Sequence, residues 1–174
     1  VSDVPVAVYA HVYALMVSGA TMLMPVETWG YKYYSVNYYQ TKSQSNPADW
    51  YSWFYVVATE DNTRVEITPS DTTKNGWLPG ITYTINLNKG ETYNVFGKAK
   101  FNTTADSASK DMTGSKVLSV AGNDNLCHPI ALFSGSGGIR MCLGDGGEFM
   151  QQQIFPAQAW GTKYLTHHVL NNTS

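Results

Sequence analysis

The chain has 174 residues, with 11 Lys and Arg against 13 Asp and Glu and a formal net charge of −2, so nothing electrostatic points to nucleic acid or an anionic membrane as partner. Charged residues make up only 14%, well below the ~25% of an ordinary soluble domain, and 12 Tyr, 5 Trp and 6 Phe load the chain with aromatics. No run approaches the ~18 apolar residues of a spanning helix, so no membrane span is expected, and abundant Tyr, Thr, Val, Gly and Asn favour strands over helices.

In chain order, Val6, Val8, Ala10, Val12 and Ala14 fall on one face of an extended strand, with Tyr9, His11 and Tyr13 on the other. Ser18-Gly19 is the expected turn, 21–24 the next strand, and Pro25 its end, because proline cannot donate to a ladder. Residues 27–30 form a corner. A strand over 31–39 carries Tyr on both faces, and a polar loop follows over 41–49. Residues 50–59 are apolar on both parities, as in a central strand covered on both sides.

Glu60-Asp61-Asn62 has the composition of a tight turn, and 64–68 alternates cleanly. Tyr83, Ile85 and Leu87 alternate with polar residues, and Asn88-Lys89-Gly90 is expected to return the chain as a hairpin into Tyr93 and Val95. Residues 97–110 are small and polar, and a strand over 116–121 leads to a turn over 122–125. The sum is about ten short strands separated by turns. That is an all-β chain, a β-sandwich or jelly-roll-like module.

One stretch is written twice. Pro25, Trp29, Gly30, Lys32 and Tyr33 return as Pro156, Trp160, Gly161, Lys163 and Tyr164, in the pattern P-x-x-x-W-G-x-K-Y at an offset of 156 − 25 = 131. Upstream, Pro5-Val6-Ala7-Val8-Tyr9 matches Pro129-Ile130-Ala131-Leu132-Phe133 at an offset of 129 − 5 = 124. The expectation is an internal repeat: residues 1–124 form a first β unit and 125–174 open a second, with packing of both into one domain as the alternative. On this basis the chain reads as a segment of a longer modular protein. The repeated tryptophans are expected to plug the end of each core, with sugar stacking as the competing role. Lys32 and Lys163 are expected to lie along the same corners.

Cys127 and Cys142 enclose a Gly- and Ser-rich loop. A bridge there would add about 3 kcal/mol and imply an oxidising compartment; two free thiols are the alternative. Tests for chemistry return little. Ser134-Gly135-Ser136-Gly137-Gly138 misses the spacing of a nucleophile elbow, and neither it nor Gly144-Asp145-Gly146-Gly147 opens a helical pattern. His167 and His168 are adjacent, so on a strand they would point to opposite faces and could not share a metal, and Cys127, His128 and Cys142 lack zinc spacing. Oxygen-rich turns at 123–125 and 145–148 offer a calcium site at most. Glu27, Glu60, Glu66, Glu91 and Glu148 are scattered, so no catalytic residue, cofactor or enzyme activity is expected.

Four segments in order carry a resemblance. Ala58-Thr59-Glu60-Asp61-Asn62-Thr63-Arg64-Val65-Glu66-Ile67 resembles the "A-T-E-D-x-T-x-V-x-I" stretch of the IgGFc-binding protein N-terminal domain family. Asp111-Met112-Thr113-Gly114-Ser115 resembles its "D-L-T-G-T", Pro129 to Gly135 its "P-V-A-V-F-S-G", and Gln152-Gln153-Ile154-Phe155-Pro156 with Trp160-Gly161 its "Q-x-x-P-x-x-x-W-G". The resemblance implies a secreted or surface protein. The Met-Gln-Gln-Gln before Phe-Pro is similar to the version in large multidomain surface proteins of Bacteroidota, which are thought to serve adhesion. Asp71-Thr72-Thr73 and Asp106-Ser107-Ala108 resemble sites at which those bacteria attach O-glycans, on Thr72 and Ser107.

Three functions follow as expectations. The favoured one is a secreted, cell-surface adhesion or binding module whose partner is a protein or glycan on another surface. The second is a structural subunit of an extracellular fibre or layer, in which copies complete each other's sheets. The third is a carbohydrate-binding protein. Fold membership alone does not transfer antibody binding to this chain.

Overall fold

A computed structural model describes residues 2–14, 17–38, 40, 50–99, 109–139 and 148–166. The fold is all-β. Among the described residues ten strands run as β1 (Val8–Ala14), β2 (Val17–Leu23), β3 (Lys32–Tyr34), β4 (Ser52–Ala58), β5 (Thr63–Thr68), β6 (Tyr83–Leu87), β7 (Thr92–Phe96), β8 (Lys116–Val120), β9 (Ile130–Ile139) and β10 (Glu148–Gln153). All pairings between them are antiparallel.

Two four-stranded sheets, β10-β9-β4-β7 and β3-β8-β5-β6, face each other as a sandwich, and β1-β2 forms a separate hairpin. Strand parity builds the core. Ser52, Phe54, Val56 and Ala58 turn one face of β4 inward, and Val65 and Ile67 do the same from β5. Met112, Val117, Ile130 and Leu132 join them in one buried cluster with Tyr33. Each large aliphatic side chain buried there contributes about 1.5–3 kcal/mol. Strand β9 pairs with β4 from Ala58↔Ile130 to Ser52↔Ser136.

The structure corrects the expected hairpin over 82–95. Strand β6 pairs with β5 in one sheet and β7 pairs with β4 in the other. The turn at Asn88, Lys89 and Gly90 therefore crosses between sheets, placing Leu87 and Val95 in the core from opposite sides. Period-2 alternation is the same whether two strands fold edge to edge or face to face, so the pattern alone could not choose. A second crossing lies beside it at residues 59–62, where Asn62 takes φ 56°. The two are tied together: Gly90 N–H donates to Ala58 O at 3.0 Å, Ala58 N–H to Glu91 O at 3.1 Å, and Lys89 N–H to Asp61 Oδ1 at 3.0 Å.

Two further expectations are revised. Ser18 and Gly19 lie in β2, opposite Tyr13 and Val12, rather than in the turn. The strand expected over 31–39 is only Lys32–Tyr34. Residue 35 keeps main-chain partners in Ser115 O and Gly114 N–H, but from 36 to 38 side chains satisfy the backbone instead. Val36 N–H donates to Ser134 Oγ at 3.0 Å and Ser134 Oγ–H returns to Val36 O at 2.8 Å. Ser136 repeats this with Tyr38, at 2.9 and 2.7 Å. Buried main-chain groups need such partners.

Candidate functional site

The nine-residue pattern folds alike in both places. Val26–Thr28 and Ala157–Ala159 are single 3-10 turns, each opened by the motif proline. In the first, Thr28 N–H donates to Pro25 O at 2.9 Å and Trp29 N–H to Val26 O at 3.0 Å; in the second, Ala159 N–H donates to Pro156 O at 2.9 Å and Trp160 N–H to Ala157 O at 3.2 Å. Each indole N–H reaches back five residues to the carbonyl before the proline, Trp29 to Met24 O at 3.0 Å and Trp160 to Phe155 O at 3.3 Å. Each glycine N–H donates to the motif tyrosine hydroxyl at 2.7 Å. The residue types follow from these bonds: Pro starts the turn, Trp latches it, and Tyr holds its exit.

Their surroundings differ. Tyr33 is 1% exposed, and its hydroxyl donates onward to Ile130 O at 2.7 Å; burial pushes that hydroxyl up to about 12. Gly30 O accepts from Ile130 N–H at 2.8 Å, and a Cβ on Gly30 would lie 2.6 Å from Pro156 Cβ. At the second corner Trp160 is 53% and Tyr164 70% exposed. Neither indole is in the buried cluster, so Tyr33, not a tryptophan, is the member of the pattern that fills the core. Lys32 Nζ sits 5.4 Å from the Tyr34 ring centroid, and Lys163 is exposed.

Sequence reading missed a second feature. On the outward face of β4, Trp53 and Tyr55 stack at 5.7 Å between centroids, Tyr55 stacks on Phe133 at 4.8 Å, and Trp53 on Phe149 at 5.8 Å. Trp53, Tyr55 and Phe149 are half-buried, and burial raises the Tyr55 hydroxyl above its ordinary value. At one end of this row a cleft of about 320 Å³ opens among Trp50, Tyr51, Trp53, Phe96, Gly138 and Phe149. Gly138, at φ 65°, has no room for a side chain beneath Trp50. Lys74 Nζ lies 4.6 Å from the Tyr51 ring centroid at the same edge. The shared parity of Trp53 and Tyr55 was visible in the sequence, in a strand expected to be covered on both sides; that their face is the outward one, and their partners 78 and 96 residues away (133 − 55 and 149 − 53), were not.

The remaining expected sites separate. Cys127 is an exposed free thiol, and Cys142 lies outside the described residues, as do Ser107, His167 and His168. Thr72 is half-buried; its N–H donates to Asp71 Oδ1 at 2.7 Å and its carbonyl accepts from Lys98 N–H at 2.9 Å. In the 123–125 turn considered for calcium, the Asp124 carboxylate accepts from Leu126 N–H at 3.0 Å and meets His128 Nε2 at 2.7 Å. Both contacts, the Leu126 amide first, hold its carboxyl below the ordinary value. Among the described residues no three His, Cys, Asp or Glu are grouped to hold a metal ion, and no helix is long and apolar enough to cross a membrane.

A family model described as IgGFc binding protein matches residues 19–174. The chain belongs to this family. The segments that carried the sequence resemblance to the IgGFc-binding family fall on structural joints: residues 58–67 span the sheet-to-sheet crossing at 59–62, 111–115 the turn into β8, 129–135 the opening of β9, and 152–161 the end of β10 with the second corner. No match is found among curated proteins or among solved structures.

Proposed function

We propose that this chain is a non-enzymatic, protein-binding module that works outside the cell, and that the aromatic row Phe149-Trp53-Tyr55-Phe133 is its contact surface. The observation that carries this is the row itself: uncharged rings stacked across β10, β4 and β9, with Phe149, Trp53 and Tyr55 partly open to solvent and Phe133 buried beneath the end of the row. Tyr and Trp held in this way supply large contact area at small cost in conformational entropy and dominate binding hot spots. The family's description names antibody Fc as a ligand; for this chain the ligand class is a protein surface. The wider setting belongs to the same proposal. It is a secreted, cell-surface adhesion module of a large multidomain bacterial protein, glycosylated at Thr72 and Ser107.

Biolayer interferometry with immobilised IgG Fc and mucin glycoprotein, run beside an array of free glycans, tests this. Saturable binding to one of the proteins is expected, weakened at least tenfold in Trp53→Ala and Tyr55→Ala variants whose thermal midpoints confirm folding. No response to either protein overturns the reading. So does binding that both variants retain, and binding to free glycans alone gives the carbohydrate-binding alternative instead.

A further inference from the structure

Among the described residues the two corners are joined in one direction only. The back of the first corner meets the front of the second: Gly30 packs on Pro156 and Gln158, Gly30 O and Tyr33 OH clamp the opening residue of β9, Ile130, and the Tyr34 ring lies 5.6 Å from Trp160. That leaves the front of the first corner and the back of the second exposed. Pro25, Val26 and Glu27 are exposed where Pro156 is buried, and Gly161 is exposed where Gly30 is buried.

The hairpins beside these corners correspond in register. Tyr9 pairs with Met22, and their counterparts 124 and 131 residues on, Phe133 and Gln153, pair with each other (9 + 124 and 22 + 131). The equivalence therefore holds for hairpin and corner together, and each half of the internal joint has a free counterpart. Val6 stands for Ile130, Gly161 for Gly30, Tyr164 for Tyr33, Leu165 for Tyr34 and Trp29 for Trp160. Leu165 is 94% exposed. Trp29 lines an open apolar cleft with Leu23 and Met24, the counterparts of the Ile154 and Phe155 that surround Tyr34 and Trp160.

We propose that this surface binds a second copy of the chain, head to tail. Leu165 of one copy enters the cleft at Trp29 of the next, while Gly161 O and Tyr164 OH take the main-chain N–H and C=O of that copy's Val6, repeating the bonds that Gly30 and Tyr33 make to Ile130. The occupant follows from the internal joint, which displays the contact once with its partner in place. The two surfaces differ, so the contact is heterologous and leaves each end open for another copy. This goes beyond the aromatic binding face and does not depend on it.

Two substitutions separate the halves without touching the core. A Cβ on Gly161 meets nothing nearer than Tyr164 Oη at 3.5 Å, so Gly161→Val folds in the monomer but strikes Pro25 and Glu27 of a second copy. Val6→Asp, on an exposed residue, blocks the other surface. Sedimentation velocity of the 174-residue chain, from on the order of 10 μM to 1 mM to reach weak association, should show the wild type growing steadily in mass and each variant at least tenfold weaker. An equimolar mixture of the two variants should stop at a dimer, since only one free surface remains on each. A wild type that stays monomeric throughout overturns the proposal, as does association that either variant leaves unchanged or a mixture that grows past the dimer.

Discussion

The corner at residues 25–33 and the corner at 156–164 share their main-chain, indole and tyrosine hydrogen bonds in opposite environments. In the first, Tyr33 is buried, its hydroxyl ties the turn to β9, and the backbone at Gly30 is pressed against another proline. In the second, Tyr164 closes only its own turn, and a Cβ on Gly161 would touch only that same corner, at 3.5 Å from Tyr164 Oη. Local sequence sets the conformation of a corner, and its contacts set its energetic weight. A motif can therefore be structurally complete while contributing little to global stability.

The widest gap between the corners is expected at the glycines. Gly30→Val forces Pro156 and Gln158 aside and should cost about 3 kcal/mol, an overpacking penalty, whereas Gly161→Val should stay within about 0.5 kcal/mol; urea unfolding of both at low protein concentration checks this. Next are the tyrosines. Tyr33→Phe strands a buried N–H and a buried carbonyl and should cost about 2 kcal/mol, against a few tenths for Tyr164→Phe by the same measurement.

The pH dependence sharpens that pair. An unfolded tyrosine releases its proton near 10.0 and folded Tyr33 near 12. The folded form thus holds the proton more tightly, and its contribution is whole below pH 10 and drains away as pH rises towards 12, roughly 2–3 kcal/mol in all. Alkaline unfolding followed by circular dichroism should show this loss in the wild type and in Tyr164→Phe, and a flatter curve in Tyr33→Phe.

The indole latches come after these. Trp29→Phe should cost about 1 kcal/mol and Trp160→Phe less than half of that, read from thermal midpoints. The smallest effect lies outside both corners. The depressed Asp124 carboxyl stabilises the fold above its ordinary value of 3.8 and loses that contribution as pH falls through its lower folded value. Asp124→Asn should flatten the acid limb slightly.

What the sequence made legible was local. The corners stood out because their bonds span three to five residues, so Pro, Trp, Gly and Tyr recur at fixed spacing. The turn at Glu60-Asp61-Asn62 was marked by the same means, with Asn62 in the left-handed region it tolerates. The central place of β4 was legible from aromatics on both parities. The partnership of strands was not. Residues 83–87 and 92–96 alternate as a hairpin would, yet the choice between pairing and facing is made by the sheets they join. Likewise, Phe133 and Phe149 give no local sign that they extend the stack begun by Trp53 and Tyr55, because that contact exists only once β9 and β10 lie beside β4.

Ser134 and Ser136 set the two hairpins apart. Their hydroxyls substitute for a missing neighbour strand along residues 36–38, giving β9 the means to grip a passing peptide through its side chains. The matching places in β1, 124 residues earlier, hold Ala10 and Val12, which can offer no such grip. One hairpin is thus equipped to hold a passing chain against its own strand and the other is not. An alternating pair of serines on an otherwise apolar strand is the spelling by which that division of labour could be recognised in other members of the family.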